Sequence, residues 1–194
     1  MTPARGSLAL IARAAGGRVL AAALALCVAT AARAQSSVLV PEPQSEAAEV
    51  AKLMRSGQEA KALERAETVI RAQPRNLQVR FMRAVMLGDL DRRDEAIAEY
   101  EKLTQEYPEL PEPYNNLAVL LAAQGKLTQA EALLQHALVA QPDYATAYEN
   151  LGDVHLARAV DAYERAARHD AGNAALKAKL DATRALLAKL RPSR

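Results

Sequence analysis

Three things are missing from this chain, and each removes a class of function. No acidic residue occurs in the first 34 positions, no cysteine occurs after Cys27, and the longest apolar run is too short to cross a bilayer. That run, Val19 to Ala32, has 14 residues, where a spanning helix needs about 20. It follows a segment carrying Arg5, Arg13 and Arg18, and it precedes Ala32-Arg33-Ala34 and Gln35. A basic start, a short apolar stretch and a small-x-small site predict a secretory signal peptide over 1–34, cleaved between Ala34 and Gln35. The protein is therefore expected to be exported, to the periplasm of a bacterial-type envelope, with membrane attachment only through an uncleaved N-terminal segment.

The one cysteine lies inside the segment to be removed. Leu24-Ala25-Leu26-Cys27 places a bulky leucine before it, unlike the Leu-Ala-Gly/Ala-Cys of a bacterial lipoprotein site. A mature chain without cysteine has neither disulfides nor thiolate catalysis. Charge changes too: 25 basic and 23 acidic residues give a net +2, but the leader takes four arginines, leaving 21 against 23 and a net of −2. No basic patch remains to suggest nucleic acid. About 160 residues are left, enough for one continuous core.

Catalytic constellations are missing as well. His136, His155 and His169 are scattered with no acid or cysteine at ligand spacing, and core or surface roles account for each. There is no glycine-rich phosphate loop, nucleophile elbow or metal-binding spacing. We expect no metal, no cofactor and no enzyme activity. The run Asp91-Arg92-Arg93-Asp94-Glu95 reads as a solvated turn.

What the chain does have is a period. Pro74, Pro108 and Pro142 stand 34 residues apart, as do Ala62, Ala96 and Ala130. The stretch from Pro111 to Tyr144 is the most regular. Leu117, Leu120 and Leu121, then Ala130, Leu133, Leu134, Ala137 and Leu138, form two amphipathic helices with a turn at Gln124-Gly125-Lys126. Neither could hide its apolar face alone, and a 34-residue helix-turn-helix period belongs to one repeat class.

In these residues the chain resembles the tetratricopeptide-repeat (TPR) family. Tyr114, Leu117, Ala118, Gly125, Ala130, Ala137 and Pro142 match its pattern, and Leu121 and Leu134 stand where it has aromatics. The resemblance implies an all-α fold, a right-handed α-solenoid of about four helix-turn-helix repeats with a C-terminal capping helix. Its parts would be a leader over 35–42, repeats over 43–76, 77–110, 111–144 and 145–173, a solvating helix over 174–190 capped by Asn173, and a tail over 191–194. The first repeat is degenerate, with Glu49 and Val50 for Leu-Gly, as a terminal repeat can be. In the second, Arg83 replaces a leucine, with its head expected to snorkel to solvent, and Asp91 replaces the turn glycine.

The fourth repeat is short. Tyr163 falls five residues early, and Leu156 to Val160 offers no turn former. A tight reversal near Ala157 and Arg158 and one long bent helix are both open. The reversal is favoured, because Ala159, Tyr163 and Ala166 keep second-helix spacing.

The family binds ligands on the faces of its first helices. Carried over by position, those faces here hold Phe81, Met82 and Val85; Glu112, Asn115, Asn116 and Val119; and Glu149, Asn150 and Asp153. Asn116 and Asn150 share the position where TPR asparagines bond a peptide backbone. The family's chaperone-binding clamp uses basic residues at two positions that here hold Ala47, Phe81, Asn115, Glu149 and Gln44, Gln78, Glu112, Thr146, so that clamp is absent. The resemblance implies a protein- or peptide-binding adaptor or assembly factor of the envelope, whose acidic groups suit a basic or amide-bearing segment. One alternative is an accessory subunit of an envelope enzyme or assembly machine, docking through the convex face or C-terminal helix. The other is an enzyme with a groove site, disfavoured for want of a nucleophile with a base.

Overall fold

The computed structural model describes residues 43–189; the predicted signal peptide, the leader, Cys27 and the tail lie outside them. The described residues form eight helices and no strand. They are α1 Pro43–Arg55, α2 Glu59–Ala72, α3 Leu77–Asp89, α4 Arg93–Glu106, α5 Pro111–Ala123, α6 Leu127–Ala140, α7 Ala145–His169 and α8 Ala174–Lys189. They divide into two compact units, α1 to α4 before Tyr107 and α5 to α8 from Tyr107 onward. The fold is all-α, and its helices pair as repeated hairpins.

The hairpins form because three turns end their first helices alike. The amides of Gln58, Arg92 and Lys126 donate to the carbonyls of Leu53, Leu87 and Leu121, each five residues back. This closure needs a left-handed residue just before the donor. Gly57, Asp91 and Gly125 supply it, with φ of 68°, 62° and 81°. Asp91 thus does the work of the missing glycine, which aspartate tolerates better than most residues. Proline-containing loops separate one hairpin from the next, and Asn76 caps α3 by accepting from the Val79 amide at 3.2 Å.

In the unit of α1 to α4, α1 pairs with α2 and α3 with α4, while α2 and α1 both touch α3. Ala62, Ala66, Ala84, Leu87, Ala96 and Leu103 are fully buried there. Small residues at Ala84 and Ala96 let the α3 and α4 backbones approach, and Leu87 and Leu103 fill the space alongside. Arg83 does not send its head to solvent. The guanidinium lies 4.0 Å from Glu67 and 3.8 Å from Glu99, so carboxylates on neighbouring helices hold it.

In the unit of α5 to α8, α5 pairs with α6, α6 with α7 and α7 with α8, and α5 also touches α7. Ala118, Ala130, Leu134 and Ala137 are fully buried between the first two helices. Here one expectation fails. Residues 145–169 run as a single 25-residue helix, with no reversal at Ala157 and Arg158. Nothing in that sequence pays the cost of leaving the helix, since Leu156 to Val160 has no glycine, asparagine or proline. Continuing the helix keeps every backbone bond, and Ala157 and Val160 of α7 are buried, as are Leu180 and Leu187 of the α8 helix that packs against it. Asn173 caps α8 as expected, accepting from the Leu176 amide at 2.9 Å.

Candidate functional site

Because α5 and α7 begin 34 residues apart and touch, side chains at neighbouring repeat positions on their adjoining faces meet. Asn150 Nδ2 on α7 donates to Asn115 Oδ1 on α5 at 2.7 Å, and Asn115 Nδ2 donates to Asn116 Oδ1 at 3.2 Å. Asn115 and Asn116 are buried, at 3% and 6% exposure. Buried amides persist only when bonded, so the chain of three fixes the spacing of the two helices.

Accessibility divides the expected site residues. Glu149 is exposed, and Glu112, Asn150 and Asp153 are half-buried, while Asn115, Asn116 and Val119 are buried. The reachable part of this unit's candidate surface is therefore acidic and amide-bearing. Glu112 Oε2 is buried and makes no hydrogen bond among the described residues. Nearby Tyr144 has its phenol pushed up to about 12, chiefly by burial and then by Glu112, against a hydrogen bond with Thr146. It is neutral at any physiological pH.

In the other unit Phe81, Met82 and Val85 share α3 and are all buried. These three residues, carried over as ligand-facing, are not exposed in the structure. The Phe81 ring sits edge-on to Tyr100 of α4, with centroids 5.7 Å apart and planes at 68°, a favourable arrangement inside a hairpin. At the end of the same helix Asp89 has a raised pKa, from burial first and then from Glu59.

The sequence reading missed a set of charged clasps where the family has tryptophan. Arg80, only 6% exposed, donates through Nε to Glu99 at 2.7 Å and through both terminal nitrogens to Glu106 at 2.5 and 3.0 Å. In the first hairpin the signs are exchanged: Arg65 donates to Glu46 and, at 2.7 Å, to Glu49. The signal was legible, since Glu46 and Arg65, like Arg80 and Glu99, stand 19 residues apart. In the third hairpin Tyr114 takes that place and stacks on His136, at 5.6 Å and 21°.

The remaining histidines are surface groups. His155 is exposed, with Nδ1 3.8 Å from Glu131, which also pairs with Arg158, and His169 is exposed at the end of α7. No group of three or more potential metal ligands occurs among the described residues, and no described helix is long and apolar enough to cross a membrane. An open depression lined by Gln73 to Leu77 holds none of the expected site residues.

Known proteins agree on the fold. Residues 87–152 match a family described as tetratricopeptide repeat. No curated protein matches by sequence. Among solved structures, the first TPR of Spaghetti (RPAP3) bound to the HSP90 peptide SRMEEVD is similar, with a TM-score of 0.56 and 18% identity over 60% of this chain and 93% of that one. The first TPR domain of human RPAP3 gives the same score and identity, over 60% and 92%. MamA 41-end from Desulfovibrio magneticus RS-1 gives 0.56 and 17% identity, over 72% and 78%.

Proposed function

We propose, because residues 87–152 match a tetratricopeptide-repeat family and the helices pair as repeated hairpins, that this chain is a non-catalytic adaptor of the cell envelope that holds another protein through an extended segment. The observation that carries this reading is the amide network of Asn115, Asn116 and Asn150, flanked by the accessible Glu149 and Asp153. The half-buried Asn150, held in place by the two buried amides, can bond a peptide backbone whatever its sequence, and carboxylates select among segments by charge.

The similar RPAP3 domain is bound to a peptide that ends in Glu-Glu-Val-Asp. A peptide ligand suits this chain too, but not that chemistry. Where a clamp for acidic tails needs lysine or arginine, α5 and α7 carry Asn115, Glu149, Glu112 and Thr146. Carboxylates there repel an acidic tail and attract lysine, arginine or amide groups. Export is supported by the composition of residues 1–34, basic and without acid.

The test is capture of partners from envelope extract by the mature protein, by Asn116→Ala plus Asn150→Ala, and by Glu149→Lys plus Asp153→Lys. Loss of the same partners in both double variants is the expected result. A partner list unchanged in both removes the assignment to this surface.

A further inference from the structure

The shortened fourth repeat leaves one helix face without the neighbour that every other hairpin gives it. The fourth, eighth and eleventh positions of a first helix turn toward its second helix. In α3 these are Arg80, Ala84 and Leu87, at 6%, 0% and 0% exposure. In α5, Tyr114 stacks on His136 of α6, while Ala118 and Leu121 are 0% and 7% exposed. In α1, Glu46 and Val50 are 7% and 0% exposed.

The same positions of α7 are Tyr148, Gly152 and His155. Tyr148 is 55% exposed and the other two are exposed. No atom of a described residue beyond the local helix lies within 4 Å of the point where a side chain at Gly152 would begin. Meanwhile Ala147 and Val154, on the side of α7 that packs within its own unit, are at 0% and 1%. The helix is therefore docked on one side and open at Tyr148 and Gly152, while His155 lies 3.8 Å from Glu131 of α6.

The cause lies in the deletion. Residues that would have formed the second helix continue α7 instead, and α8 covers only the later part. Arg184 reaches Glu164 at 2.7 Å, and Leu180 and Leu187 are buried on α8, which packs against α7. Nothing described covers Tyr148 and Gly152.

We propose that this open face is a seat for one amphipathic helix of a partner protein, which completes the fourth hairpin in trans. The chain itself states the chemistry of that helix. Its three second helices each bring a fully buried alanine to the contact, Ala62, Ala96 and Ala130. Each follows with a buried apolar residue four positions on (Ala66, Tyr100, Leu134) and seven positions on (Val69, Leu103, Ala137). The partner helix carries the same small, apolar, apolar pattern at i, i+4 and i+7, and it runs antiparallel to α7. Gly152 lets the backbones approach as Ala118 does in the third hairpin. This seat is separate from the amide network, and its fate does not depend on that reading.

The probe is a fluorescent peptide with the sequence of residues 126–141, which spans α6. It is titrated into the full chain by anisotropy, with the Gly152 and Tyr148 resonances followed by NMR. Saturable binding that shifts those two residues is expected. Gly152→Leu fills the seat and weakens binding at least about tenfold, because overpacking keeps the helices apart. Gly152→Ala keeps the binding, and a peptide with Ala130→Lys loses it. Leucine is the better helix former and has open space at this site, so Gly152→Leu melts no lower than the parent.

Four results overturn the proposal. One is no saturation at millimolar peptide, and another is equal binding by Gly152→Leu. A third is a shift at Ala118 instead of Gly152, which means that the peptide displaces α6. The last is self-association abolished by Gly152→Leu, which assigns the face to a second copy of the chain.

Discussion

A single side chain, Arg80, ties the second hairpin together. It holds Glu99 within the hairpin and Glu106 at the end of α4. Its pKa is raised by the hydrogen bonds to Glu106 and then Glu99, against the opposing effect of burial. Removing one partner of a buried ion pair strands the other, so Arg80→Met is expected to cost about 3–5 kcal/mol in denaturant unfolding. Adding Glu99→Gln recovers part of that loss by removing the stranded charge. The arginine also holds the Glu106 carboxyl below the usual carboxylate range. A lowered folded-state pKa gives stability that is present above the unfolded carboxylate value, about 4.3, and lost as pH falls through the folded value. The parent's stability therefore declines on acidification through that window, and Arg80→Met shows a shallower decline. None of this was read from the sequence. The signal for the clasp was the 19-residue pairing of opposite charges in two successive repeats, Glu46 with Arg65 and Arg80 with Glu99.

Among the elements, α7 is the one on which the sequence misled. The spacing of Ala159, Tyr163 and Ala166 is that of a second helix, but periodicity reports which residues share a face and not where a chain turns back. The turn depends on a left-handed residue, and residues 156–160 have no glycine or asparagine to supply one. A continuous helix of 25 residues is about 37 Å long at 1.5 Å per residue. Proline at its middle breaks a backbone bond and clashes with the preceding turn. Arg158→Pro is therefore expected to lower stability by about 3 kcal/mol or more and to reduce far-ultraviolet helicity. Arg158→Ala removes only a partly exposed ion pair with Glu131 and should cost under about 1 kcal/mol. A proline variant that melts with the parent restores the reversal.

For the molecule as a whole, the export signal proposed for residues 1–34 would set where the protein acts. The mature chain proposed above begins at Gln35, lacks cysteine and carries a net charge of −2 where the full chain carries +2. Expressed from its own start in a bacterial host, it should be recovered from the periplasmic fraction with a mass corresponding to residues 35–194. Recovery of the full-length chain in the membrane fraction points instead to an uncleaved anchor. At the other end, α8 supplies Leu180 and Leu187 to the last part of α7. Truncation after Asn173 removes the helix packed on α7, so a lower melting temperature and faster amide exchange beyond Arg158 are expected.

By itself the sequence determined the all-α class, the hairpins and the residues that share their faces, because a 34-residue period of small and apolar side chains admits one kind of pairing. It also placed Asn115, Asn116 and Asn150 on adjoining first helices. Tertiary structure decided what depends on neighbours across the chain. Asn150 bonds Asn115, Phe81 turns to Tyr100 and not outward, and charged clasps replace an aromatic. Those outcomes turn on which groups come within bonding distance and which lose contact with water, and no residue carries that information alone. The open face at Gly152 has the same origin: a five-residue deletion is visible in the sequence, but only the packing shows which side of the helix it leaves uncovered.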